Sequence, residues 1–462
     1  MRDKLRALLE KAPDGVHLEI RYHQRKSSQV RVDKGEIHTA SSDDYGGVGI
    51  RALVDGAWGY ASTSNLAKEV LEKSLNDAIN AAKRLAPGVK EKIVLAPIKP
   101  ITGEFSNLGK DPMENHDFEE RVKLIVHIDK MLREADKRIK GSMVRLVVPA
   151  NHRIILNSDG TDIEIKDTRP DIIIRPVATE GSKMAEFYEG VGFTGGWEIF
   201  ERKTPEYMVE RAVEIATKLL DAPLAKGGKH RVVMEPSLTG IICHEAIGHT
   251  VEADIAHSGS AAKGMIGKQV ASEHVTMVDS GEERAAGGWL IADDAGVPAK
   301  RTTIIEEGIL KSYLHSRSTA YIYDVEPTGN ERAFEYDVEP IIRMRNTYLT
   351  PGEFSRNELI EDIKEGYLLS SAGGGQADST AEFMFSVPEA YEIKNGEVQG
   401  LVRNVTISGN AYEVLSSVDG VSKEWKLDMG WGYCGKGQPA RVDGGGGLTR
   451  ATALVSGEVG GA

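Results

Sequence analysis

The spacing of apolar residues predicts a first half in which helices and strands mix. Apolar positions repeat at helical spacing over residues 65–85 and Phe118–Ala135, and Thr204-Pro205 caps a third helix that runs to about Leu220. Residues 1–12 predict a short amphipathic helix, whereas residues 95–112 show no clear period and predict an irregular connector. Strand patterns are predicted at residues 17–22, 30–34, 46–53, 57–62, 143–148, 153–156, 162–166 and 172–177.

The second half is predicted to be richer in strands and glycine. It carries one long, largely apolar helix over residues 235–254, for which Ser237 is a suitable N-cap. Strands are predicted at residues 275–278, 302–306, 309–314, 341–345, 382–387, 391–393, 398–402 and 405–407, with one short helix at 355–365. Glycine and proline in residues 221–228 mark a linker.

These patterns predict an α+β fold. An N-terminal mixed α/β domain is expected over residues 1–225, with a further division into subdomains 1–95 and 113–225 left open. A strand-rich C-terminal domain that carries the long, metal-binding helix is expected over residues 226–462, and its tail contains four consecutive glycines, 444–447. At 462 residues the chain is too long for one ordinary core, which agrees with this division.

Composition and charge exclude several classes of protein. A net charge of −13 argues against nucleic-acid binding, and no apolar run is long enough to span a membrane. Residues 1–12 lack the apolar core and cleavage site of a secretory signal. With two cysteines, Cys243 and Cys434, a disulfide framework is excluded, and a cytoplasmic location is expected.

The segment His244-Glu245-Ala246-Ile247-Gly248-His249 is the strongest chemical signal in the chain. Two imidazoles and one carboxylate are the groups that a zinc peptidase uses as ligands and base. The two histidines are five positions apart, which on a regular helix places them roughly 140° apart around the axis. If both bind one metal, the helix must contain a wide π-type turn, which Gly248 would ease. The motif therefore predicts a local backbone irregularity as well as a metal site.

A catalytic zinc usually has a third protein ligand. The candidates are Glu252, Asp254, His257, His274, Cys243 and Cys434. Cys243 lies roughly 100° around the helix from His244 and is interpreted as core packing. Cys434 lies in a glycine-rich loop, where glycines on both sides would let the backbone approach a site. Glu252 is interpreted as a residue that holds a ligand histidine in place.

Several separate blocks, in the same order, resemble the TldD/PmbA family of metallopeptidases, and the resemblance extends over nearly the whole chain. They lie at residues 47–52, 58–62, 244–249, 252–254, 293–298, 301–302, 340–347 and 434–438. The PmbA (TldE) type of subunit lacks the histidine motif. Because this chain has the motif, it resembles the TldD type.

The resemblance implies that His244, His249 and Cys434 hold one zinc ion per chain and that Glu245 is the general base. It also implies a dimer, in this family a heterodimer with a PmbA/TldE-type paralogue, that hydrolyses peptides or unfolded protein segments through a metal-activated water. Whether this chain forms a homodimer or a heterodimer is left open. The family's association with DNA gyrase gains no support from the acidic charge.

Two other functions remain as alternatives: a non-catalytic scaffold subunit with structural histidines, and a cysteine hydrolase that uses Cys434. Candidates for oxyanion stabilisation are backbone amides near residues 373–375, or a side chain such as His315 or Arg317. Residues 370–376 lack the ending of a phosphate-binding loop. Asp293-Asp294 and Glu306-Glu307 are expected to be solvated carboxylates. Substrate is expected to bind as an added strand at a sheet edge of the second domain.

Overall fold

The computed structural model describes residues 1–457, and residues 458–462 of the predicted C-terminal domain lie outside the described part. Its α-helices are α1 (Arg2–Leu9), α2 (Lys68–Leu85), α3 (Phe118–Ala135), α4 (Ile199–Arg202), α5 (Pro205–Leu219), α6 (Pro236–Ile241), α7 (Ala253–Ser258), α8 (Arg317–Tyr323), α9 (Arg356–Ile360) and α10 (Ala411–Ser416). The predicted helices near residues 1–12, 65–85, 118–135 and 205–220 are confirmed. None of the helices in residues 1–457 combines the length and the apolar character needed to cross a membrane.

The first half of the chain builds one nine-stranded sheet. Its strands are β1 (His17–Asp33), β2 (Glu36–Val54), β3 (Ala57–Thr63), β4 (Thr102–Asn107), β5 (Ile139–Asn157), β6 (Asp162–Thr168), β7 (Asp171–Glu180), β8 (Lys183–Glu186) and β9 (Glu189–Gly192). The main order is β3-β2-β1-β5-β6-β4, and β7 pairs with β5, β8 and β9. Helices α1 and α2 cover one part of the sheet, and α3 and α5 cover another.

Two pairs of predicted strands are single long strands in the structure. Residues 17–22 and 30–34 are the two ends of β1, and 143–148 and 153–156 both belong to β5. Polar residues interrupt the apolar pattern in the middle of each strand, but the antiparallel β1–β5 ladder continues without a break. Each end of β1 then enters a different core: Leu18 and Ile20 pack under α2, and Val30 and Val32 pack under α3.

The second half builds a thirteen-stranded sheet with two small ribbons. Its strands are β10 (Gly228–Met234), β11 (Met277–Ser280), β12 (Thr302–Glu306), β13 (Ile309–Leu310), β14 (Glu331–Arg332), β15 (Ile341–Ile342), β16 (Asn346–Leu349), β17 (Glu365–Leu369), β18 (Gly375–Ala377), β19 (Glu382–Val387), β20 (Ala390–Lys394), β21 (Glu397–Val402), β22 (Val405–Asn410), β23 (Gly420–Leu427), β24 (Tyr433–Gly435), β25 (Pro439–Arg441) and β26 (Asp443–Ser456). The mixed α and β content with extensive sheets confirms the predicted fold class. The domain boundaries stay a prediction.

The glycine-rich tail is the central strand of the second sheet. Strand β26 pairs with β10, β16, β22 and β23, although the sequence predicted no strand there. Helix α6 packs directly on the strand because Gly240 has no side chain: a Cβ there would lie 2.4 Å from the nitrogen of Gly445. A Cβ on Gly445 would in turn lie 2.1 Å from the Lys426 carbonyl oxygen of β23. The glycine run, for which the sequence predicted no strand, is therefore part of the strand on which the motif helix packs.

Further sequence expectations were wrong. Residues 95–112 are not wholly irregular, since β4 pairs in parallel with β6. Asp293 and Asp294 are not solvated: they are 1% and 6% exposed, and Asp293 Oδ1 accepts hydrogen bonds from two backbone amides. Burial and the neighbouring Glu331 raise the pKa of Asp293 well above its usual value. Glu306 and Glu307 are exposed, as expected.

The two sheets are tied together by buried polar contacts. The Arg317 guanidinium donates to Asp159 Oδ2 at 2.6 Å, across from one half to the other. Asn157 Nδ2 donates to the carbonyl of Ala295 at 3.0 Å. Arg317 is 2% exposed, and its guanidinium is engaged by Asp159 and by the carbonyl of Ala96. It is therefore not available as an oxyanion-stabilising group.

Candidate metal centre

The motif lies on a helical segment that changes pitch along its length. Helix α6 begins at Pro236, with Glu235 rather than Ser237 at the N-cap, and Ser237 Oγ instead donates to the carbonyl of Ser370 at 3.3 Å. Residues Ile242–Gly248 then form a π-helix, and His249–Val251 form a 3₁₀ turn. The predicted helix over 235–254 is therefore interrupted at Glu252, whose backbone is extended, before α7 begins.

The π-helical turn is the backbone irregularity that the five-residue spacing predicts. The His249 amide donates to the carbonyl of His244, which is the i to i+5 bond of a π-helix. The two imidazole rings consequently come within 5.5 Å of each other, centroid to centroid. Gly248 has ordinary helical angles, but a Cβ there would lie 1.9 Å from the sulfur of Met344. Glycine at this position makes room for the Met344 side chain and is not used for backbone freedom.

Cys434 reaches the motif from a separate ribbon formed by β24 and β25, which we call the cysteine hairpin. The fully buried Arg343 donates to the carbonyls of Cys434 and Gln438, at 2.7 and 2.5 Å, and fixes this hairpin. The flanking glycines do not serve close approach as predicted, because a Cβ on Gly435 would have no neighbour within 4 Å. The tight contact is at Gly430, where a Cβ would lie 2.0 Å from the Gly192 carbonyl oxygen of the first sheet.

Four side chains converge at this point. One ligand atom from each of His244, Glu245, His249 and Cys434 lies within 4.8 Å of all the others. Cys434 Sγ is 3.1 Å from His249 Nε2, and Glu245 Oε2 is 3.5 Å from the same nitrogen. Zinc bonded to sulfur at about 2.3 Å and to nitrogen at about 2.0 Å holds such ligands some 3–4 Å apart. The spacing of the cluster is compatible with one metal ion.

The donor set fits zinc on a second ground. His244 is fully buried, and neither of its ring nitrogens has a hydrogen-bond partner among the described residues. A buried imidazole without partners is costly, and a metal ion supplies the missing interaction. Imidazole nitrogens and thiolate sulfurs are both zinc ligands, and a catalytic zinc takes three protein ligands. Glu245, with 30% of its side chain exposed, is the group most open to a substrate.

The thiol and the imidazoles shift one another's protonation. Burial raises the pKa of Cys434, but His244 and His249 lower it more strongly, and the result is about 4. Burial lowers the pKa of His249, but hydrogen bonds to Cys434 and Glu252 raise it to about 10. The cysteine is thus poised as a thiolate, the form that binds metals. Burial alone raises the pKa of Cys243 to about 12, which suits its place in the main core.

A buried acid and a lysine support the second histidine. Glu252 is fully buried, and its Oε2 lies 3.3 Å from His249 Nδ1. Lys436, two residues after Cys434, places Nζ 2.8 Å from the same carboxylate and 2.7 Å from Asp254. This lysine links the cysteine hairpin to the motif segment. Lys436 was not identified from the sequence. The available signal was the pair of acidic residues Glu252 and Asp254, whose negative charge needs a nearby cation if it is buried.

Comparison with known proteins identifies the family to which this site belongs. Models of three domains match the chain in order: PmbA/TldA metallopeptidase domain 1 at residues 18–86, the central domain at 111–220, and the C-terminal domain at 227–449. The chain belongs to the PmbA/TldA metallopeptidase family. The resemblance to TldD/PmbA proteins is thereby confirmed, and the third of these models contains all four residues of the cluster.

Relatives within the family match almost the whole chain. A metalloprotease of Methanocaldococcus jannaschii is 37% identical over 98% of this chain and 99% of its own length. A zinc metalloprotease TldD homolog of Saccharolobus solfataricus is 30% identical over 93% of both chains.

Solved structures share the fold. A protein of Thermotoga maritima described as a modulator of a DNA gyrase aligns with a TM-score of 0.80 at 24% identity, over 98% of this chain and 99% of that one. TldE from Thermococcus kodakarensis aligns with a TM-score of 0.78 at 23% identity, over 98% and 100%. At these identities the likeness shows the fold alone.

The remaining candidate ligands lie elsewhere. His257 and His274 are exposed, and neither joins the cluster in the described part of the chain. His315 is buried with Nδ1 3.2 Å from the Thr319 hydroxyl, and burial lowers its pKa to about 4. The amide of Gly373 donates to the Ser386 carbonyl and is not free for an oxyanion. The Gly373 amide is thus excluded, whereas a role of His315 in oxyanion stabilisation stays a prediction.

We predict that Glu252→Gln weakens zinc binding by about 10- to 100-fold, as is typical when a group that orients a metal-binding histidine is changed. The amide keeps the shape but not the charge that holds His249 and Lys436. The measurement is competition for zinc with a chromophoric chelator. Glu273→Gln, at an exposed position in the same half, is the matched control. Equal zinc affinity in all three proteins would show that Glu252 has no part in holding the site.

Proposed function

We propose that this chain is a TldD-type, zinc-dependent peptidase that hydrolyses peptides or unfolded protein segments, with Glu245 as general base. The observation that carries the proposal is the cluster of His244, His249 and Cys434 with an accessible carboxylate beside it. The name of the Saccharolobus solfataricus relative, a zinc metalloprotease, supports the choice of metal. We expect one zinc ion per chain.

In this proposal His244, His249 and Cys434 would hold the metal. When bound there, zinc supplies Lewis-acid chemistry: it lowers the pKa of a water molecule and polarises the scissile carbonyl. Glu245 accepts the proton of the attacking water on its carboxylate and then donates it to the amine of the leaving peptide. Glu252 and Lys436 keep His249 oriented throughout, and Arg343 keeps the Cys434 backbone in place.

A free strand edge beside the site suits an extended substrate. Strand β18 pairs only with β19 in the described residues, and this hairpin contacts the π-helical turn. A peptide added along the open edge would be bound mainly through its backbone, with little dependence on sequence. We therefore propose unfolded segments as the substrate class. A complex in which the peptide binds in a compact or helical form would contradict this mode of binding.

The partner and the location are also proposals. The likeness to TldE, together with the TldD names of several relatives, supports a dimer with a TldE-type paralogue. We propose a cytoplasmic protein that acts without nucleic acid or membrane, given its acidic charge and its two separate cysteines. Purification of the chain with and without a co-expressed paralogue, followed by mass measurement in solution, tests the assembly.

A cysteine hydrolase is the second candidate, because Cys434 and His249 are 3.1 Å apart with the thiol pKa lowered to about 4. Chelation separates the two mechanisms. We expect 1,10-phenanthroline to abolish peptide cleavage by the active assembly and added zinc to restore it, while the non-chelating 1,7-isomer has no effect. Cleavage that persists after the metal is removed would contradict the zinc mechanism and favour the thiol. If the protein binds no zinc and cleaves no peptide with or without chelator or added zinc, the non-catalytic scaffold is favoured.

A further inference from the structure

A cavity lined by arginines lies at the other face of the cysteine hairpin. Neighbouring residues of a strand project to opposite faces, so Tyr433 and the residue paired with it, Arg441, face away from the side that carries Cys434. There they meet residues of the first sheet around a cavity of about 50 Å³. One buried water requires about 10–15 Å³, so the cavity has room for a few waters or one small anion.

Five arginines from both halves of the chain line this cavity, which we call the arginine pocket: Arg25, Arg153, Arg169, Arg332 and Arg441. The one carboxylate in the lining is Asp294. Phe334 forms an apolar wall, with the Arg25 guanidinium 4.0 Å above its ring centroid. The pocket is therefore a small, strongly cationic space between the two sheets.

Nearby carboxylates compensate only part of this charge. Asp167 is shared by Arg153 and Arg169, at 2.5 and 2.7 Å. Asp171 is likewise shared by Arg441, at 3.1 Å, and by Arg145, at 3.2 Å.

The two remaining arginines of the pocket, Arg25 and Arg332, differ in how their charge is compensated. Arg25 has its own partner, Glu335, at 2.9 Å. Arg332 donates only to carbonyl oxygens, those of Met344 and Arg441. Burial and then the neighbouring Arg169 and Arg343 lower the pKa of Arg332 to about 9, which reports the cationic field. With Asp294, four carboxylates face the five arginines, and one of the four, Asp171, is shared with Arg145, so positive charge remains in excess.

Two of the arginines that line the pocket carry guanidinium nitrogens without a partner among the described residues. Nε and Nη2 of Arg441 and Nε of Arg153 are buried without a hydrogen bond among the described residues. Arg441 is 5% exposed, so bulk water reaches it poorly. Buried guanidinium N–H donors without a partner are costly even where the same side chain has an ion pair, and the groups that satisfy planar guanidinium donors best are carboxylate and phosphate oxygens.

We propose that the arginine pocket binds one small oxyanion, a carboxylate or phosphate group, and that this anion fastens the cysteine hairpin to the first sheet. Binding there ties Arg441, and with it the strand paired to Cys434, to Arg25 and Arg153 of β1 and β5. The site is separate from the metal cluster and does not depend on peptidase activity. Its ligand is either a free anion or the carboxylate end of a peptide.

The test is thermal unfolding of the full-length, zinc-loaded chain in inorganic phosphate, against chloride at equal ionic strength. A ligand that binds only the folded state raises Tm by mass action, by on the order of 2 °C at twenty times Kd for a chain of this size. We expect this phosphate-dependent rise in the wild type and in Arg84→Gln, an exposed control. We expect it to vanish in Arg441→Gln and in Arg25→Gln, the latter a milder change at a part-exposed side chain.

A second arm distinguishes the sources of the oxyanion. An acetylated tripeptide with a free carboxylate is compared with its amide in the same unfolding assay. Stabilisation by the free acid but not the amide supports a peptide terminus, and stabilisation by phosphate alone supports a free anion, provided that the pocket variants abolish either effect. No rise above chloride with any of these probes, or an equal rise in wild type and both pocket variants, would overturn the proposal.

Discussion

Replacing Glu245 by glutamine is expected to lower kcat/KM for peptide cleavage by about 10²- to 10⁴-fold, the usual contribution of a general base. Glutamine has the same shape but cannot accept the proton of the attacking water. Glu245 is the accessible carboxylate of the cluster, 3.5 Å from His249 Nε2, and no other described carboxylate joins it there. The measurement is steady-state cleavage of a fluorogenic peptide by the active assembly.

Zinc content distinguishes a lost base from a lost metal. Because His244, His249 and Cys434 remain, Glu245→Gln should retain about one zinc per chain by the ligand count of a catalytic site. Glu273→Gln, an exposed change of the same kind, should cleave at the wild-type rate. Glu245→Gln with undiminished cleavage would remove the residue from the mechanism and would leave a scaffold or a thiol enzyme to be considered.

Replacing Cys434 by alanine is expected to abolish stoichiometric zinc and peptide cleavage together. The loss of a direct ligand should weaken binding by more than about 100-fold, the upper end for groups that merely support a ligand. The chain offers a matched control in Cys243, which is fully buried in the main core and lies one residue before His244 and six before His249. Metal analysis by mass spectrometry after gel filtration measures both variants.

The two cysteines should behave differently in every assay. Cys243→Ala removes only core packing, so it should lower Tm slightly while it keeps zinc and activity. Full zinc occupancy in Cys434→Ala would show that another residue completes the site. Loss of zinc in Cys243→Ala, with the fold intact by circular dichroism, would show that the core beneath the motif controls the metal more than the thiol does.

The local backbone geometry of the motif could be predicted from sequence because it depends on spacing. A separation of five positions between His244 and His249 is incompatible with a shared metal ion on a regular helix, and the π-helical turn follows from that requirement. The amphipathic helices of the first half follow from their apolar period in the same way. In each case the information lies within a few residues of the feature that it predicts.

Features that depend on distant contacts could not be predicted in this way. The glycines of β26 lower strand propensity, and only contacts made in the fold explain them: Gly445 lies close to Gly240 of α6 and to the Lys426 carbonyl of β23. Asp293 and Asp294 look like a solvated pair until the fold buries them. Lys436 is assigned a role only when the cysteine hairpin is placed beside Glu252. The arginine pocket likewise draws on β1, β5 and β25, which are far apart in sequence.

The most direct test of the metal centre is anomalous diffraction from crystals of the zinc-loaded protein, recorded on both sides of the zinc absorption edge. We predict one strong peak per chain, about 2.0–2.1 Å from one nitrogen each of His244 and His249 and about 2.3 Å from Cys434 Sγ. The peak should be absent from crystals of Cys434→Ala. A peak that excludes any of these three side chains, or none at this position in fully loaded protein, would contradict the account.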